Sequence, residues 1–336
     1  MTIFSDAPII GVSTGSALPR RAWSNAELIA AKGLDSSDEW IKARTGIEQR
    51  YIVEDGETTF TLARDAVRQA LERGGVDATE VGVLVVATCT PDLTFPSVAA
   101  LVHGALGMPQ ACVALDVNAA CSGFIHALAV ARGLLATSDA GYAVVVGSET
   151  FSNLLDWNDR GTCVLFGDGA GALLLKKEPL LKKEPGAEGR GLLGFKLGAD
   201  GACAGMLQSS AGVARGRTAG VVTMNGREVF KQAVRQMGSR EDVSALLGEA
   251  GMELSDLDWL IPHQANERII EAAAKALDFP MGKVISTVAH HANTSAASIP
   301  LALNHAVEKG MVKRGDSVVL QAFGAGFVWS GALVRW

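Results

Sequence analysis

The chain has 336 residues, of which 48% are apolar and 20% are charged, and its 38 glycines amount to about 11% against a usual share of roughly 7%. This composition excludes a disordered chain, and the sequence has no Gly-X-Y repeat of the collagen type. The net charge of −6 leaves no basic footprint for nucleic acid.

The sequence predicts neither a membrane segment nor secretion. Its longest apolar runs have about 10 residues, well short of the ~20 that span a bilayer. The first ten residues, MTIFSDAPII, lack the basic stretch and the long apolar run of a signal peptide. We therefore expect a cytoplasmic protein with no membrane partner and no nucleic-acid partner.

Strands and helices are predicted to alternate through the first half of the chain. Apolar runs rich in Val, Ile and Leu predict buried strands over 81–88, 112–117, 141–147 and 164–175. Helical periodicity predicts helices over 59–74, 97–106 and 121–136. This alternation is typical of an α/β fold whose sheet is covered on both faces.

The second half repeats this plan. Residues 257–263 resemble 81–87, and residues 315–320 resemble 141–146. An apolar helix is predicted near 294–308, as at 121–136 in the first half. Self-similarity at so long a period predicts two duplicated α/β halves.

The two halves are predicted to join through an exposed linker. Residues 174–185 carry the tandem hexapeptide LLKKEP-LLKKEP, and GAEGR follows. Lys, Glu, Pro and Gly at this density are typical of a solvated segment. We expect an N-terminal half over 1–175, a linker over 176–190 and a C-terminal half over 191–336.

The five cysteines predict neither a disulfide framework nor a zinc site, because their number is odd and no C-x-x-C pair occurs. Cys121 differs from the others because it lies where a predicted strand passes into a helix. Free N–H groups and the helix dipole at such a position favour a thiolate and can hold an oxyanion. A buried structural thiol is the alternative interpretation.

Two further polar residues lie at predicted strand or helix ends. His263 follows the apolar strand LDWLIP, where side chains face the ligand crevice of an α/β sheet; a histidine satisfied by loop hydrogen bonds is the alternative. Asn293 opens Asn-Thr-Ser before a helix and by itself predicts an N-cap. The adjacent His290 and His291 point oppositely on an extended segment, which disfavours a metal site.

Six segments of the chain closely resemble β-ketoacyl-[acyl-carrier-protein] synthase III of the thiolase-like superfamily: SDEWIKARTGI, LDVNAACSGF, DRGT with FGDGAGA, IPHQANERI, ANTSAAS and FGAGFVW. They follow the family's order and cover nearly the whole chain. The resemblance implies a thiolase-like five-layered αβαβα fold from two duplicated α/β halves. It also implies a homodimer with no metal and no permanently bound cofactor.

The resemblance implies a decarboxylating Claisen condensation that joins a short acyl-CoA, such as acetyl-CoA, to malonyl-[acyl-carrier-protein] and starts fatty-acid synthesis. Cys121 would accept the acyl group, and His263 and Asn293 would hold the enolate oxygen. The backbone N–H groups of Cys121 and Ala325 would hold the oxyanion. The family commonly has Gly-Gly-Gly where this chain has Gly-Ala-Gly, so we expect an ordinary negative φ at Ala325.

Binding residues are implied in the same way. Trp40 and Arg160 would sandwich the adenine of CoA, with Arg44 and Asn266 along the cofactor arm. Lys231 and Arg268 would dock the acidic acyl carrier protein. The acyl pocket would be lined by Phe166, Met224 and Phe230, and by Phe95 reaching into the pocket of the dimer partner.

Three alternatives to synthase III remain open in the sequence. One is a related condensing enzyme or acyltransferase of a specialised pathway with the same three side chains. Another is a papain-like cysteine hydrolase, in which the asparagine would orient the histidine, although the duplicated α/β pattern disfavours it. The last is a binding protein with a degenerate site, which the intact Cys-His-Asn set disfavours.

Overall fold

The computed structural model describes residues 7–178 and 189–336. The strands are β1 (Ile9–Ala17), β2 (Ala22–Ser24), β3 (Gln49–Tyr51), β4 (Val81–Ala87), β5 (Val113–Val117), β6 (Tyr142–Thr150), β7 (Asp168–Lys177), β8 (Gly191–Ala199), β9 (Leu207–Ser209), β10 (Val222–Met224), β11 (Trp259–Pro262), β12 (Ser317–Gly324) and β13 (Val328–Arg335). The α-helices are α1 (Asn25–Lys32), α2 (Asp38–Thr45), α3 (Thr59–Gly74), α4 (Val98–Leu106), α5 (Gly123–Thr137), α6 (Gly226–Met237), α7 (Arg240–Gly248), α8 (Glu267–Leu277), α9 (Val288–His291) and α10 (Ser298–Glu308).

Helix α3 illustrates how local sequence sets these bounds. The Thr58 side chain accepts the backbone N–H of Thr61, and the Thr61 side chain accepts the backbone N–H of Thr58. Together the two bonds form a capping box. Gly75 ends the helix in the left-handed conformation, with φ 62°. The apolar face between these caps is buried against the first sheet. The predicted helix over 59–74 is confirmed.

Two sheets with the same strand plan make up the frame. The first has the order β1-β7-β6-β4-β5 and the second the order β8-β13-β12-β11. In the first, β4 and β6 are parallel while β7 is antiparallel to both its neighbours; in the second, β11 and β12 are parallel while β13 is antiparallel to both. Only β5 lacks a counterpart. The predicted duplication of an α/β half is confirmed at the level of topology.

Helices cover both sheets and also separate them. Helices α3 and α4 pack on the outer face of the first sheet, and α6, α7 and α8 lie on the outer side of the second sheet. Helices α5 and α10 lie between the sheets, in a core that includes Phe124, Ile125 and Leu128. The result is five layers in the order αβαβα, as expected.

Residues 120–137, which include α5, are long and apolar enough to span a membrane by length and composition alone. Half of this stretch is buried inside the protein, and α5 contacts strands of both sheets. It therefore has the character of a core helix.

The segment that joins the two halves begins later in the chain than predicted. Lys176 and Lys177 belong to β7 rather than to the linker, because they pair with β1 and β6. Residues 179–188 of the predicted linker lie outside the described residues. Each sheet takes its strands from one side of this segment, which supports the two-half division that we propose.

Glycine is required where β6 packs against the 3₁₀ turn Ser295–Ala297 that precedes α10. A Cβ on Gly147 would lie 2.2 Å from the carbonyl oxygen of Ala296 and 2.7 Å from its carbonyl carbon. We expect Gly147→Ala to lower the unfolding free energy by about 1–3 kcal/mol, because the rigid backbone must move. Urea denaturation measures the change.

Gly133→Ala in α5 is the matched control, since a Cβ there meets nothing within 4 Å. Alanine is the better helix former, so this variant should be neutral or up to about 1 kcal/mol more stable. Equal effects of the two substitutions would contradict the packing argument.

Candidate active site

The predicted chemical residues meet in one cavity of about 1000 Å³. Cys121 follows β5, His263 follows β11 and Ala325 follows β12, so strand ends from both sheets converge there. Asn293 arrives from the segment between α9 and α10. The structure thus brings together four residues that are up to 204 positions apart (325 − 121).

Cys121 lies in a one-turn 3₁₀-helix, Ala120–Ser122, that leads into α5. Neither Ala119 nor Ser122 makes a side-chain cap hydrogen bond, and Ala120 is held at a positive φ of 46°. A Cβ on Gly324 would lie 2.8 Å from the backbone nitrogen of Cys121. The end of β12 therefore packs directly against the backbone that carries the thiol.

Burial of Cys121 opposes the thiolate character that its position near a helix N-terminus predicts. The thiol is 7% exposed, and burial raises its pKa to about 12 despite hydrogen bonding to Ser295. The nearby Glu149 carboxylate raises it further. The raised pKa favours the neutral thiol, which would have to lose its proton to act as a nucleophile.

His263 is a buried, neutral imidazole. Burial lowers its pKa to about 3. Its Nδ1 lies 2.6 Å from Ser298 Oγ, which also accepts the backbone N–H of Gln264 at 3.4 Å. A Ser298 hydroxyl that donates to Nδ1 leaves the imidazole proton on Nε2, and in that tautomer His263 is a neutral donor.

Protonation of His263 is expected to destabilise the protein in acid. The folded pKa of about 3 lies below the ordinary 6.5, so between these pH values the unfolded chain binds a proton that the folded chain does not. The unfolding free energy therefore rises with pH across this window, and the His263 contribution is complete above pH 6.5. From pH 7.5 to 5 the protein should lose about 2 kcal/mol more than its His263→Gln variant.

Urea denaturation at the two pH values measures this difference. His103→Gln is the control, since His103 lies in α4 and bonds the carbonyl of Pro109. The control should show the same loss as the unmodified protein. Equal losses in the protein and in His263→Gln would contradict a proton-free His263.

A backbone N–H group orients the side chain of Asn293. Its Oδ1 accepts the N–H of Ser295 at 2.9 Å, so its Nδ2 donors are left for other partners. The predicted N-cap role of Asn293 is wrong, because the N-cap of the 3₁₀ turn Ser295–Ala297 is Thr294, which makes no side-chain cap bond, and α10 begins only at Ser298. Pairing of the Asn293 backbone with Leu165 and Gly167 fixes the segment against the first half of the chain.

The φ prediction for Ala325 is confirmed. The non-glycine residues with positive φ in the described chain do not include Ala325. The next residue, Gly326, takes the left-handed conformation with φ 131°. The Gly-Ala-Gly sequence therefore keeps the turn after β12 without straining the alanine.

The predicted CoA residues form a group beside the cavity. The Arg160 and Arg44 guanidinium carbons lie 5.3 Å and 5.8 Å from the Trp40 ring centroid. Asn266 links this group to the cavity, which it lines, because its Nδ2 donates to the carbonyl of Arg44. Arg160 also bonds Asp35, so an adenine on this face of Trp40 has to displace Arg160.

The predicted carrier-protein residues lie on the packed helices α6 and α8. Lys231 is 71% exposed, and the Arg268 guanidinium carbon lies 5.8 Å from the Phe230 ring centroid. Phe230 itself lines the cavity. Both cationic residues are thus close to one wall of the cavity.

Three of the four predicted pocket residues line the cavity, namely Phe166, Met224 and Phe230. Phe166 is buried and stacks on Phe151 at 4.4 Å between centroids. Phe95 is 83% exposed and does not line the described cavity of its own chain.

Four residues that sequence reasoning missed support these groups. Ser298 holds the ring of His263, and Ser295, Glu149 and Cys89 lie together beside Cys121. Glu149 could have been noticed in the sequence, because it lies near the end of the apolar strand YAVVVGSET and an unpaired carboxylate is rare in a buried strand.

No group of three or more His, Cys, Asp or Glu side chains suited to a metal ion occurs within residues 7–178 and 189–336. His290 and His291 fall in the short helix α9. The expectation that they lie on an extended segment is therefore wrong.

Two family models match the chain. The model for 3-oxoacyl-[acyl-carrier-protein] synthase III matches residues 115–201, and the model for the C-terminal part of the same enzyme matches residues 247–336. The first match contains Cys121, and the second contains His263, Asn293 and Ala325.

Individual relatives match over almost the full length. The chain is 52% identical to a β-ketoacyl-[acyl-carrier-protein] synthase III of Sphingopyxis alaskensis over 326 residues, covering 96% of this chain and 97% of the relative. The crystal structure of the Pseudomonas aeruginosa 3-oxoacyl-[acyl-carrier-protein] synthase III superposes with a TM-score of 0.88 at 41% identity, covering 98% of each chain. The priming β-ketosynthase of the R1128 polyketide pathway gives 0.89 at 33% identity, covering 100% of this chain and 98% of the other.

Proposed function

The chain belongs to the 3-oxoacyl-[acyl-carrier-protein] synthase III family of condensing acyltransferases, and we propose that it condenses a short acyl group from acyl-CoA with malonyl-[acyl-carrier-protein]. The product is a 3-ketoacyl-[acyl-carrier-protein], the first intermediate of fatty-acid synthesis. The observation that carries this proposal is the convergence of Cys121, His263 and Asn293 on one cavity.

Acylation comes first. The Cys121 sulfur attacks the thioester carbonyl of acyl-CoA, a new carbon–sulfur bond forms, and CoA leaves. The carbonyl oxygen becomes negatively charged in the transition state. The backbone N–H groups of Cys121 and Ala325 are proposed to hold it, and the packing of the end of β12 against Cys121 supports this role.

Decarboxylation of the malonyl thioester then generates the carbon nucleophile. Carbon dioxide leaves, and its bonding electrons become an enolate whose oxygen carries the charge. His263 Nε2 and Asn293 Nδ2 supply two neutral donors to that oxygen. A neutral pair stabilises the enolate without first protonating its carbon, since the pKa of His263 is far below neutral. The enolate carbon attacks acyl-Cys121, and the Cys121 sulfur leaves.

The two substrates reach the cavity along different surfaces. Trp40, Arg44, Arg160 and Asn266 are proposed to bind CoA, because an aromatic face and guanidinium groups suit an adenine and phosphates. Lys231 and Arg268 are proposed to dock the carrier protein beside Phe230. Phe166, Met224 and Phe230 would then shape the acyl pocket.

A homodimer is part of the proposal. Strand β5 is one of the two edge strands of the first sheet, and Val113 on it is 40% exposed. Exposed Phe95 and Leu93 lie in the nearby loop before α4. Pairing two β5 edges would remove this exposed apolar surface and bring Phe95 to the partner's acyl pocket. Light scattering should therefore give about twice the 35.0 kDa chain mass.

The experiment that tests the function separates the two half-reactions. Intact-mass spectrometry after mixing with acetyl-CoA should find one acetyl group, located on Cys121 by peptide mapping. Addition of malonyl-[acyl-carrier-protein] should then release carbon dioxide and form the 3-ketoacyl product. Acylation without carbon dioxide release would overturn the proposal.

A specialised-pathway condensing enzyme is the second candidate, favoured by the likeness to the R1128 priming ketosynthase. Its identity of 33% is lower than the 52% to the Sphingopyxis alaskensis synthase III. Acylation rates of Cys121 across a series of acyl-CoA lengths distinguish the two. A strong preference for longer or branched groups over acetyl would favour the specialised pathway.

A further inference from the structure

The proposed reaction leaves one buried acid beside the nucleophile unused. Glu149 ends strand β6 and has no exposed surface. No ion pair joins it to a basic side chain in the described parts of the chain. Its carboxylate accepts the Thr90 hydroxyl at 2.5 Å, the Thr88 hydroxyl at 3.2 Å and the Cys89 backbone N–H at 3.2 Å. A buried carboxylate held only by neutral donors is rare enough to need an explanation.

A hydroxyl connects Glu149 to the nucleophile. Ser295 belongs to the same cluster, and its side chain lowers the pKa of both the Cys121 thiol and the Glu149 carboxylate. The Cys89 thiol contacts both Glu149 and Ser295: its sulfur lies 3.2 Å from Glu149 Oε1 and 3.9 Å from Ser295 Oγ. The Ser295 backbone is fixed in turn by Asn293. Ser295 is therefore the hydroxyl that lies beside both Cys121 and Glu149, and it lines the same cavity as Cys121.

The charges in this cluster restrict how Cys121 can lose its proton. The titratable groups that face Glu149 are the two thiols, Cys89 and Cys121. Thiolate and carboxylate together would place two like charges in one buried site, which costs several kcal/mol. Moving the proton from the thiol to the carboxylate keeps a single negative charge. His263 is a poor acceptor for that proton, since burial disfavours its cationic form.

We propose that Glu149 takes up the Cys121 thiol proton through the Ser295 hydroxyl during acylation. As the Cys121 sulfur bonds to the acyl carbon, its proton moves to Ser295 Oγ, and Ser295 passes its own proton to Glu149. The CoA sulfur leaves with the electrons of the broken thioester bond. The proton then returns along the same path to that sulfur, so CoA leaves as a thiol and Glu149 is again a carboxylate.

Glu149 is thus a positioning residue that acts through Ser295, and this role rests on the proposed acylation of Cys121. The raised pKa of Glu149 agrees with it, because a carboxylate that binds a proton more readily is a better base near neutral pH. Ser295 also has a positive φ of 50°, a strained backbone conformation of the kind that clusters at functional sites.

Glu149→Gln distinguishes this role from a merely electrostatic one by the sign of the effect. The amide keeps the shape but cannot take up a proton. If Glu149 only repelled the thiolate, removing its charge would lower the pKa of Cys121 and speed acylation at pH 7. The relay instead predicts acylation by acetyl-CoA slowed roughly 10- to 100-fold in single-turnover, quenched-flow mass spectrometry. The variant's rate should also rise about tenfold per pH unit, because hydroxide must then remove the proton.

Ser295→Ala breaks the path at its middle and should slow acylation to a similar degree, with no further loss in the double variant. It also keeps a test available if Glu149→Gln does not fold. Ser148→Ala is the matched control, since Ser148 is buried next to Glu149 but bonds the carbonyl of Thr59. Acylation of Glu149→Gln or Ser295→Ala at or above the native rate would overturn the relay. Absence of an adduct on the native protein would instead overturn the proposed function.

Discussion

Cys121→Ala is expected to take up no acyl group from acetyl-CoA and to lose condensation by at least about 1000-fold. The covalent intermediate cannot form without the sulfur, and no other thiol in the described chain lies at the start of α5 beside the end of β12. His263 and Asn293 remain in place in this variant. Slow carbon dioxide release from malonyl-[acyl-carrier-protein] should therefore persist, measured with labelled malonyl carbon.

Cys203→Ala is the matched control for this experiment. Cys203 lies in the 3₁₀ segment Gly201–Met206 and packs against the cluster around Met237 and Phe323. It should acylate and condense like the unmodified protein. Retention of an acetyl adduct in Cys121→Ala would show that another residue is the acceptor.

Strand and helix patterns in the sequence were sufficient to predict the frame that positions these residues. The run TFTLARDAVRQALERG has its apolar face, its Thr58 cap and its Gly75 end within one stretch of chain, so its helix needs no distant information. The conformation of residues 164–167, in contrast, depends on a distant part of the chain. They were predicted as strand, but Leu165 and Gly167 bond the backbone of Asn293, and β7 begins only at Asp168.

Cys121 could be proposed as the nucleophile from the sequence, whereas the rise of its pKa could not be predicted. A helix N-terminus is a local feature, and Cys121 lies near one. The pKa of its thiol depends on burial and on Glu149 and Ser295, which lie 28 and 174 positions further along the chain (149 − 121 and 295 − 121). The same applies to His263, whose Nδ1 bonds the distant Ser298 and whose pKa is lowered by burial. Long-range packing decides these properties, and local sequence patterns do not report it.

Asn293→Asp is expected to separate the two half-reactions in the opposite sense from Cys121→Ala. Aspartate keeps an oxygen for the Ser295 N–H, so the turn before α10 should remain. It replaces the Nδ2 donor by a carboxylate oxygen, which repels an enolate instead of stabilising it. We expect the condensation kcat to fall about 100- to 1000-fold while acetylation of Cys121 stays within a few-fold of native.

Asn304→Asp is the matched control for this substitution, because Asn304 is a similarly buried asparagine in α10 that bonds Arg73 and Ser16 away from the cavity. Both half-reactions should stay near native in that variant. Parallel loss of acetylation and condensation in Asn293→Asp would mean that Asn293 supports the fold of the site and not the enolate. If acetylation alone is retained, Asn293 acts on the malonyl step, and the nucleophile and the decarboxylation donors are then two independent parts of one cavity.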